Sequence, residues 1–347
     1  MITWLSISWR ARVNIEALNM AESVGYYTKH RRAPIAVYDK SRRYFVLKYV
    51  PVISGECIGH GYQLWLAREA GKEGLNVCNL CRRGEMVKHG ARVVLIDEEI
   101  VKDPDEIKNP AKAHWLERTL VERCVVEDIG GFLVPTRVPV KRTSRFFTGY
   151  MLPAISDIQA ATLEPQFHVR HAPSLVGRET EMPETGQAIY YIETGTAIYT
   201  ASFSLDLDGI GYTSMIKVEP VVGEEERLKR ALCAVRALYP LISGKLGAKR
   251  TRFDPDYEVL SAVASIGRGL PFNVTPGHHR NFIERTAKRV EKLKPLGGEF
   301  KVLAYVIEED VEVPKDVKSV DEVEDLITNL VLEVEKLLKK EGWGKPK

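Results

Sequence analysis

The sequence predicts an α+β protein built on a ferredoxin-like βαββαβ core with large insertions and a projecting hairpin. Three observations predict it. Residues 2–14 alternate with period two, the pattern of a half-buried strand. Residues 224–242 carry an apolar stripe at Leu228, Leu232, Val235 and Leu238, the spacing of an amphipathic helix. With insertions set aside, residues 2–14, 54–70, 165–171, 187–205, 224–242 and 257–265 run strand, helix, strand, strand, helix, strand, which is the ferredoxin-like order.

In the first strand Ile2, Trp4, Ser6 and Ser8 hold one register, continued by Arg10 and Arg12. A basic loop follows. Ile35–Tyr38 and Tyr44–Val50 flank the polar run Asp39–Arg43 and read as a hairpin. Ser54 is a suitable N-cap for the helix over 54–70. Residues 74–110 are irregular and bear cysteines, and a helix over Ala111–Val126 completes a helical insertion spanning 74–128. Glycine, proline and arginine interrupt Ile129–Ser156, which predicts a protruding basic hairpin within 129–164. Pro165–His171, Gln187–Ile192 and Thr196–Leu205 are rich in β-branched and aromatic residues and read as strands. Strands at Tyr257–Ser265 and Phe300–Ile307 bracket a Gly/Pro/His loop. The core therefore takes residues 1–70 and 165–310, and an acidic amphipathic helix, Val320–Leu338, lies in a C-terminal segment 311–347.

Charge is segregated along the chain. Lys and Arg number 50 against 47 Asp and Glu, yet Ser23–Tyr38, Ile129–Ser156 and Arg227–Phe253 contain no carboxylate. Those stretches hold Lys29-His30-Arg31-Arg32, Lys141-Arg142-Thr143-Ser144-Arg145, and Lys245 with Lys249, Arg250 and Arg252. Segregated positive charge beside glycine and hydroxyl donors suits a polyanion, with nucleic acid the leading candidate. No run of about 18 apolar residues occurs and no basic leader precedes an apolar stretch, so the expectation is a soluble, cytoplasmic protein without membrane contact. Five cysteines in 347 residues are too few for a disulfide framework and fit reduced thiols.

Several stretches carry a family resemblance: Asn14–Pro34, Tyr49–Gln63 with its run Tyr-Val-Pro-Val-Ile-Ser-Gly-Glu, Asp128–Met151, Gln166-Phe-His-Val-Arg170 and Ala237–Pro255. Together they resemble the DevR-type backbone subunit of archaeal type I CRISPR Cascade, in the repeat-associated RNA-binding superfamily. The type I-A version is the nearer match, with type I-D the alternative. The resemblance implies a modified RNA-recognition fold with palm and thumb. It also implies copies arrayed head to tail along a CRISPR RNA, beside other Cascade subunits, leaving the guide to pair with target DNA. It places RNA contacts on the palm loop (Asn19, Ser23, Lys29, His30, Arg31, Arg32, with Ser54), the thumb (Lys141, Arg142, Arg145, Met151), a palm strand (Gln166, His168, Arg170) and the glycine-rich loop (Lys245, Lys249, Arg250, Arg252). A guide carrier grips every sequence equally, so phosphate and sugar contacts are expected rather than base reading.

Cys57-x-x-His60 and Cys78-x-x-Cys81, separated by 17 residues, have the paired spacing of a closed structural zinc site. Relatives of the type I-A kind keep a histidine at the place of His60 but lack the cysteines, and His89 or Cys124 are alternatives to His60 as the fourth ligand. Gly244-x-x-Gly247 is too short for a nucleotide-binding P-loop. A processing endoribonuclease of the same superfamily is the alternative function, with His30, His168 and His171 the imidazoles near the basic runs and His278-His279 a further pair. The expectation is a protein without catalytic residues. A zinc-stabilised interaction module that binds no RNA is the third reading.

Overall fold

The computed structural model describes residues 2–24, 27–171, 187–247 and 254–344. Its first half comprises β1 (Thr3–Glu16), β2 (Met20–Val24), β3 (Tyr27–His30), β4 (Arg32–Asp39), β5 (Tyr44–Pro51), α1 (Gly55–Lys72), α2 (Asn79–Arg83), α3 (Arg92–Asp97), α4 (Pro110–Arg123), α5 (Val125–Gly130), β6 (Phe132–Val134), β7 (Val140–Arg142), β8 (Phe146–Thr148) and β9 (Leu152–Pro153). The second half comprises β10 (Thr162–His171), β11 (Gln187–Asp206), α6 (Glu224–Arg236), α7 (Leu238–Ile242), β12 (Tyr257–Arg268), α8 (Phe282–Leu293), β13 (Glu299–Val306), β14 (Lys318–Val320) and α9 (Val323–Lys340).

One large mixed sheet runs β14-β13-β12-β1-β11-β3-β2, with β8, β9 and β10 also paired to the long β11. Its centre is antiparallel: Ile7 of β1 lies opposite Phe203 of β11 on one side and Ala264 of β12 on the other. The alternation of β1 sorts its side chains. Leu5, Ile7, Trp9, Ala11, Val13 and Ile15 are buried in the main core with residues of α1, α6 and α9. Ser6, Ser8 and Arg10 face the other way, into the loop after β12. There Ser6 Oγ accepts from Val274 N at 3.2 Å, Ser8 Oγ accepts from Gly277 N at 3.2 Å, and Arg10 donates to Gly277 O at 2.8 Å. Glu308 and Asp157 complete the Arg10 site at 2.9 and 2.7 Å, so a buried cation is doubly compensated.

Three segments depart from the expectations, each for a local reason. The 224–242 helix divides at Ala237, because Pro240 has no N–H for the carbonyl of Arg236. The Ala111–Val126 helix breaks at Cys124, which is extended (φ −148°, ψ 113°). Val125 N then donates to Asn76 O at 2.9 Å instead of continuing the helical ladder. The 129–156 stretch does not protrude: Phe132, Val134 and Val140 are buried against α4, and Phe146 stacks on Phe203 with ring centroids 5.4 Å apart. The long hairpin is β10–β11, paired from Thr162↔Thr196 to His171↔Gln187. The apolar stripe of the C-terminal helix packs into the main core, with Leu326, Leu330, Val334 and Leu338 of α9 buried there.

Candidate nucleic-acid interface and cysteine cluster

The start of α1 draws the flagged segments together. Ser54 caps the helix, its Oγ accepting from Cys57 N at 3.3 Å, while its own N–H donates to Asn19 Oδ1 at 2.8 Å. Arg31 N donates to Asn19 O at 2.7 Å, Val52 N donates to Arg31 O at 3.0 Å, and Ile53 and Met151 exchange both backbone hydrogen bonds. Asn19, Arg31, Ser54 and Met151 thus belong to one backbone lattice. Next to it opens a groove of about 680 Å³ lined by Gly55, His60, Gln63, Phe147, Gly149 and Tyr150, among others.

Bare backbone forms much of that groove. A Cβ on Gly55 would lie 3.3 Å from Gly149, and one on Gly61 only 2.4 Å from Gly247 N, so the helix, the 149 turn and the glycine-rich loop touch without side chains between them. The positive end of the dipole of an 18-residue helix favours an anion. Arg31 is half-buried beside it, and its Nε has no hydrogen-bond partner among the described residues. One charge opposes an anion here: Glu56, in the first turn, is held below the usual carboxylate range by its own N–H and by Ser54.

Buried Glu193 shapes the neighbouring loop. Its carboxylate accepts from Tyr27 Oη at 2.9 Å, His30 N at 2.7 Å and Arg32 Nη2 at 2.9 Å. His30 is buried, and burial lowers its pKa below the ordinary value, so it is a neutral scaffold residue. Lys29 lies 5.9 Å over the Tyr27 ring, and Ser23 is exposed.

The other expected contacts divide. Arg142 is 3% exposed and paired with Asp128 and Glu117, and it also donates to Asp128 O and Gly209 O at 2.7 and 2.9 Å. That corrects its reading as an RNA ligand: the carboxylates lie outside the acid-free stretch but close upon it in space. Arg145 pairs with Asp206 at 2.8 Å and is mostly covered; Met151 is buried; Lys141 is exposed. Lys245 pairs with Asp254 at 3.1 Å, while Lys249, Arg250 and Arg252 lie outside the described residues, as does the side chain of Arg170. Gln166 is exposed on β10, and His168 stacks on Tyr190 with centroids 5.2 Å apart. The opposite face of that hairpin carries a ridge the sequence reading missed: Phe167, Val169, Ile189 and Tyr191, with Tyr27 edge-on to Tyr191 at 6.1 Å. Its signal was the alternation within Gln166–Arg170 itself, whose intervening positions are apolar.

The cysteines converge differently from the paired-spacing reading. The Sγ atoms of Cys78, Cys81 and Cys124 and a carboxylate oxygen of Glu127 all lie within 4.8 Å of one another, and all four residues are buried. Cys57 and His60 are not in this group; the helix backbone they share packs against Gly247. His89 supports it from outside, its N–H donating to Glu127 Oε1 at 2.9 Å and its Nδ1 lying 2.6 Å from the same oxygen. Burial works against a charge on His89, but hydrogen bonds to Glu127 and Glu98 raise it to about 9.

Comparisons with known proteins agree on one family. A family profile described as CRISPR-associated negative auto-regulator DevR/Csa2 matches residues 7–287. The "CRISPR-associated aCascade subunit Cas7/Csa2 2" of Saccharolobus solfataricus is 40% identical over 333 residues, covering 94% of this chain and 99% of the relative. A "CRISPR-associated protein Cas7/Cst2/DevR" of Methanocaldococcus jannaschii is 26% identical over 340 residues, covering 94% and 99%. A solved chain described as "CRISPR RNA-guided surveillance complex, pre-nicking" is similar in fold, with TM-score 0.53 and 11% identity over 95% of this chain and 100% of that one. With a profile and a 40%-identical relative both spanning most of its length, the chain belongs to the DevR/Csa2 family of CRISPR-associated proteins.

Proposed function

We infer that this protein is a backbone subunit of a Cascade-type CRISPR complex, holding CRISPR RNA by its sugar-phosphate chain so that the guide stays free to pair with target DNA. The observation that carries the reading is the near full-length similarity to an aCascade subunit, with the glycine-lined groove at the start of α1 supplying the physical means. Backbone N–H groups and Arg31 grip phosphate without reading bases, which is what a guide carrier requires. On this reading Asn19, Ser23, Lys29, Arg32, Lys141, Gln166, His168 and Lys245 supply further contacts to the RNA backbone. The βαββαβ reading of the core is supported by the antiparallel order β12-β1-β11-β10, and copies of the chain stack head to tail along the RNA. The open face of the β4–β5 hairpin, with Tyr38, Phe45, Leu47 and Tyr49 exposed, supports a contact between copies. The subunit works without catalysis of its own, beside other Cascade subunits, in the cytoplasm. A structural zinc ion on the cysteines of the insertion belongs to the same reading.

Anisotropy titrations with several unrelated single-stranded RNAs test it. Affinities are expected to be alike across sequences and to fall steeply with salt. One preferred sequence, or Arg31→Ala weakening one RNA only, would mean base readout and end the guide-carrier reading.

A further inference from the structure

We propose that Cys78, Cys81, Cys124 and Glu127 form a closed zinc site, and that the ion fastens the insertion to the wall of the RNA groove. Coordination by about 2.3 Å thiolate bonds needs ligand atoms under 4 Å apart, and a mutual spacing within 4.8 Å requires only a small contraction. The donors come from two separate pieces of chain. Cys78 and Cys81 form a knuckle around the start of α2, and Cys124 stands where α4 breaks, with Glu127 on the next helical turn.

One observation outside the cysteines points to a cation, and a second to a site of net negative charge. Glu127 is fully buried, yet its Oε2 has no hydrogen-bond partner among the described residues; His89 engages only Oε1. An unbonded buried carboxylate oxygen is costly and is accounted for if a metal takes it. Lys88 is also buried, and among the described residues its ammonium donates only to the carbonyls of Gly130, at 3.0 Å, and Gly131. Three thiolates and one carboxylate on Zn²⁺ leave two negative charges, one of which Lys88 offsets. Binding releases the thiol protons to solvent. Soft thiolates in a four-ligand shell select zinc, and a full shell leaves no position for a substrate.

The coupling to the groove runs through α5. Its end, Gly130, lines the groove, and Ile129 O accepts from Arg145 N at 2.7 Å. This part rests on the proposed RNA role; the metal site does not.

Elemental analysis and cobalt substitution of the full chain test the site. Wild type and Cys57→Ser are each expected to hold about one zinc per chain. Cobalt-loaded wild type should show thiolate-to-metal charge transfer with tetrahedral d–d bands. His89→Gln should weaken zinc about 10- to 100-fold. A metal-free wild type after zinc-replete expression, or zinc lost in Cys57→Ser but kept in Cys124→Ser, would overturn the site. The cobalt spectrum of wild type decides even where Cys124→Ser does not fold. Zinc-stripped protein is expected to bind RNA more weakly than loaded protein. Equal RNA affinity with zinc present would overturn the coupling alone, and no RNA binding in either form would overturn the RNA reading.

Discussion

At the scale of single residues, charge and burial decide which basic side chains are available. Arg142→Ala is expected to cost about 1 to 3 kcal/mol, because buried Asp128 and Glu117 lose a cationic partner although Arg230 still pairs with Asp128, and denaturant unfolding measures it. Arg31→Ala should leave stability nearly unchanged and weaken RNA binding. Glu56→Gln should do the reverse of a usual charge loss and tighten RNA binding by about threefold, since an anion at a helix N-terminus is worth about 0.3 to 1 kcal/mol; unchanged affinity would place the phosphate elsewhere. His30 has a folded pKa below its unfolded one, so its contribution is present above the ordinary value near 6.5 and is lost as pH falls through the folded pKa. Thermal unfolding should therefore show wild type losing stability relative to His30→Gln as the pH falls below the ordinary value of 6.5. Such outcomes are only partly legible in sequence. An acid-free window counts neighbours along the chain, and Arg142 meets its carboxylates at Asp128 and Glu117, outside that window.

At the scale of elements, local rules carried well. The period of β1, the stripe of α6 and the cap at Ser54 are written within a few residues each, and the elements stand where those signals put them. Signals that depend on distant chain did not carry. The pairing of Cys57-x-x-His60 with Cys78-x-x-Cys81 assumed that α1 presents both side chains to the knuckle, whereas the backbone around Cys57 is taken up by its contact with Gly247. Cys124 reaches the knuckle only because its helix breaks. The glycine contact gives its own expectation: Gly61→Ala drives a Cβ into the backbone of Leu246 and Gly247, should cost about 1 to 3 kcal/mol, and should weaken RNA binding by displacing the groove wall. Intact RNA affinity in that variant would show that the 244–247 loop is not part of the site.

At the scale of the whole molecule, the proposed assembly is an open array, which needs one surface of each copy on a different surface of the next. Electron microscopy with RNAs of graded length should show particles that lengthen in regular steps, and Phe45→Ser with Leu47→Ser should shorten them without changing the affinity of one copy for a short RNA. Particles of one size at every RNA length would refute the array. The sheet also constrains how such a subunit is made. β1 is synthesised long before its partners, with Trp4 paired to Asp206 and Thr3 to Arg268, so the centre of the sheet waits for about 200 further residues or more. Until β12 has left the ribosome, an apolar strand with Trp9 and Ile7 stands with an open edge, the condition that invites misassociation. Chains interrupted before Arg268 should accordingly be recovered as aggregates rather than as smaller folded subunits, and cells that make this protein have reason to keep its early segment shielded while the rest is translated.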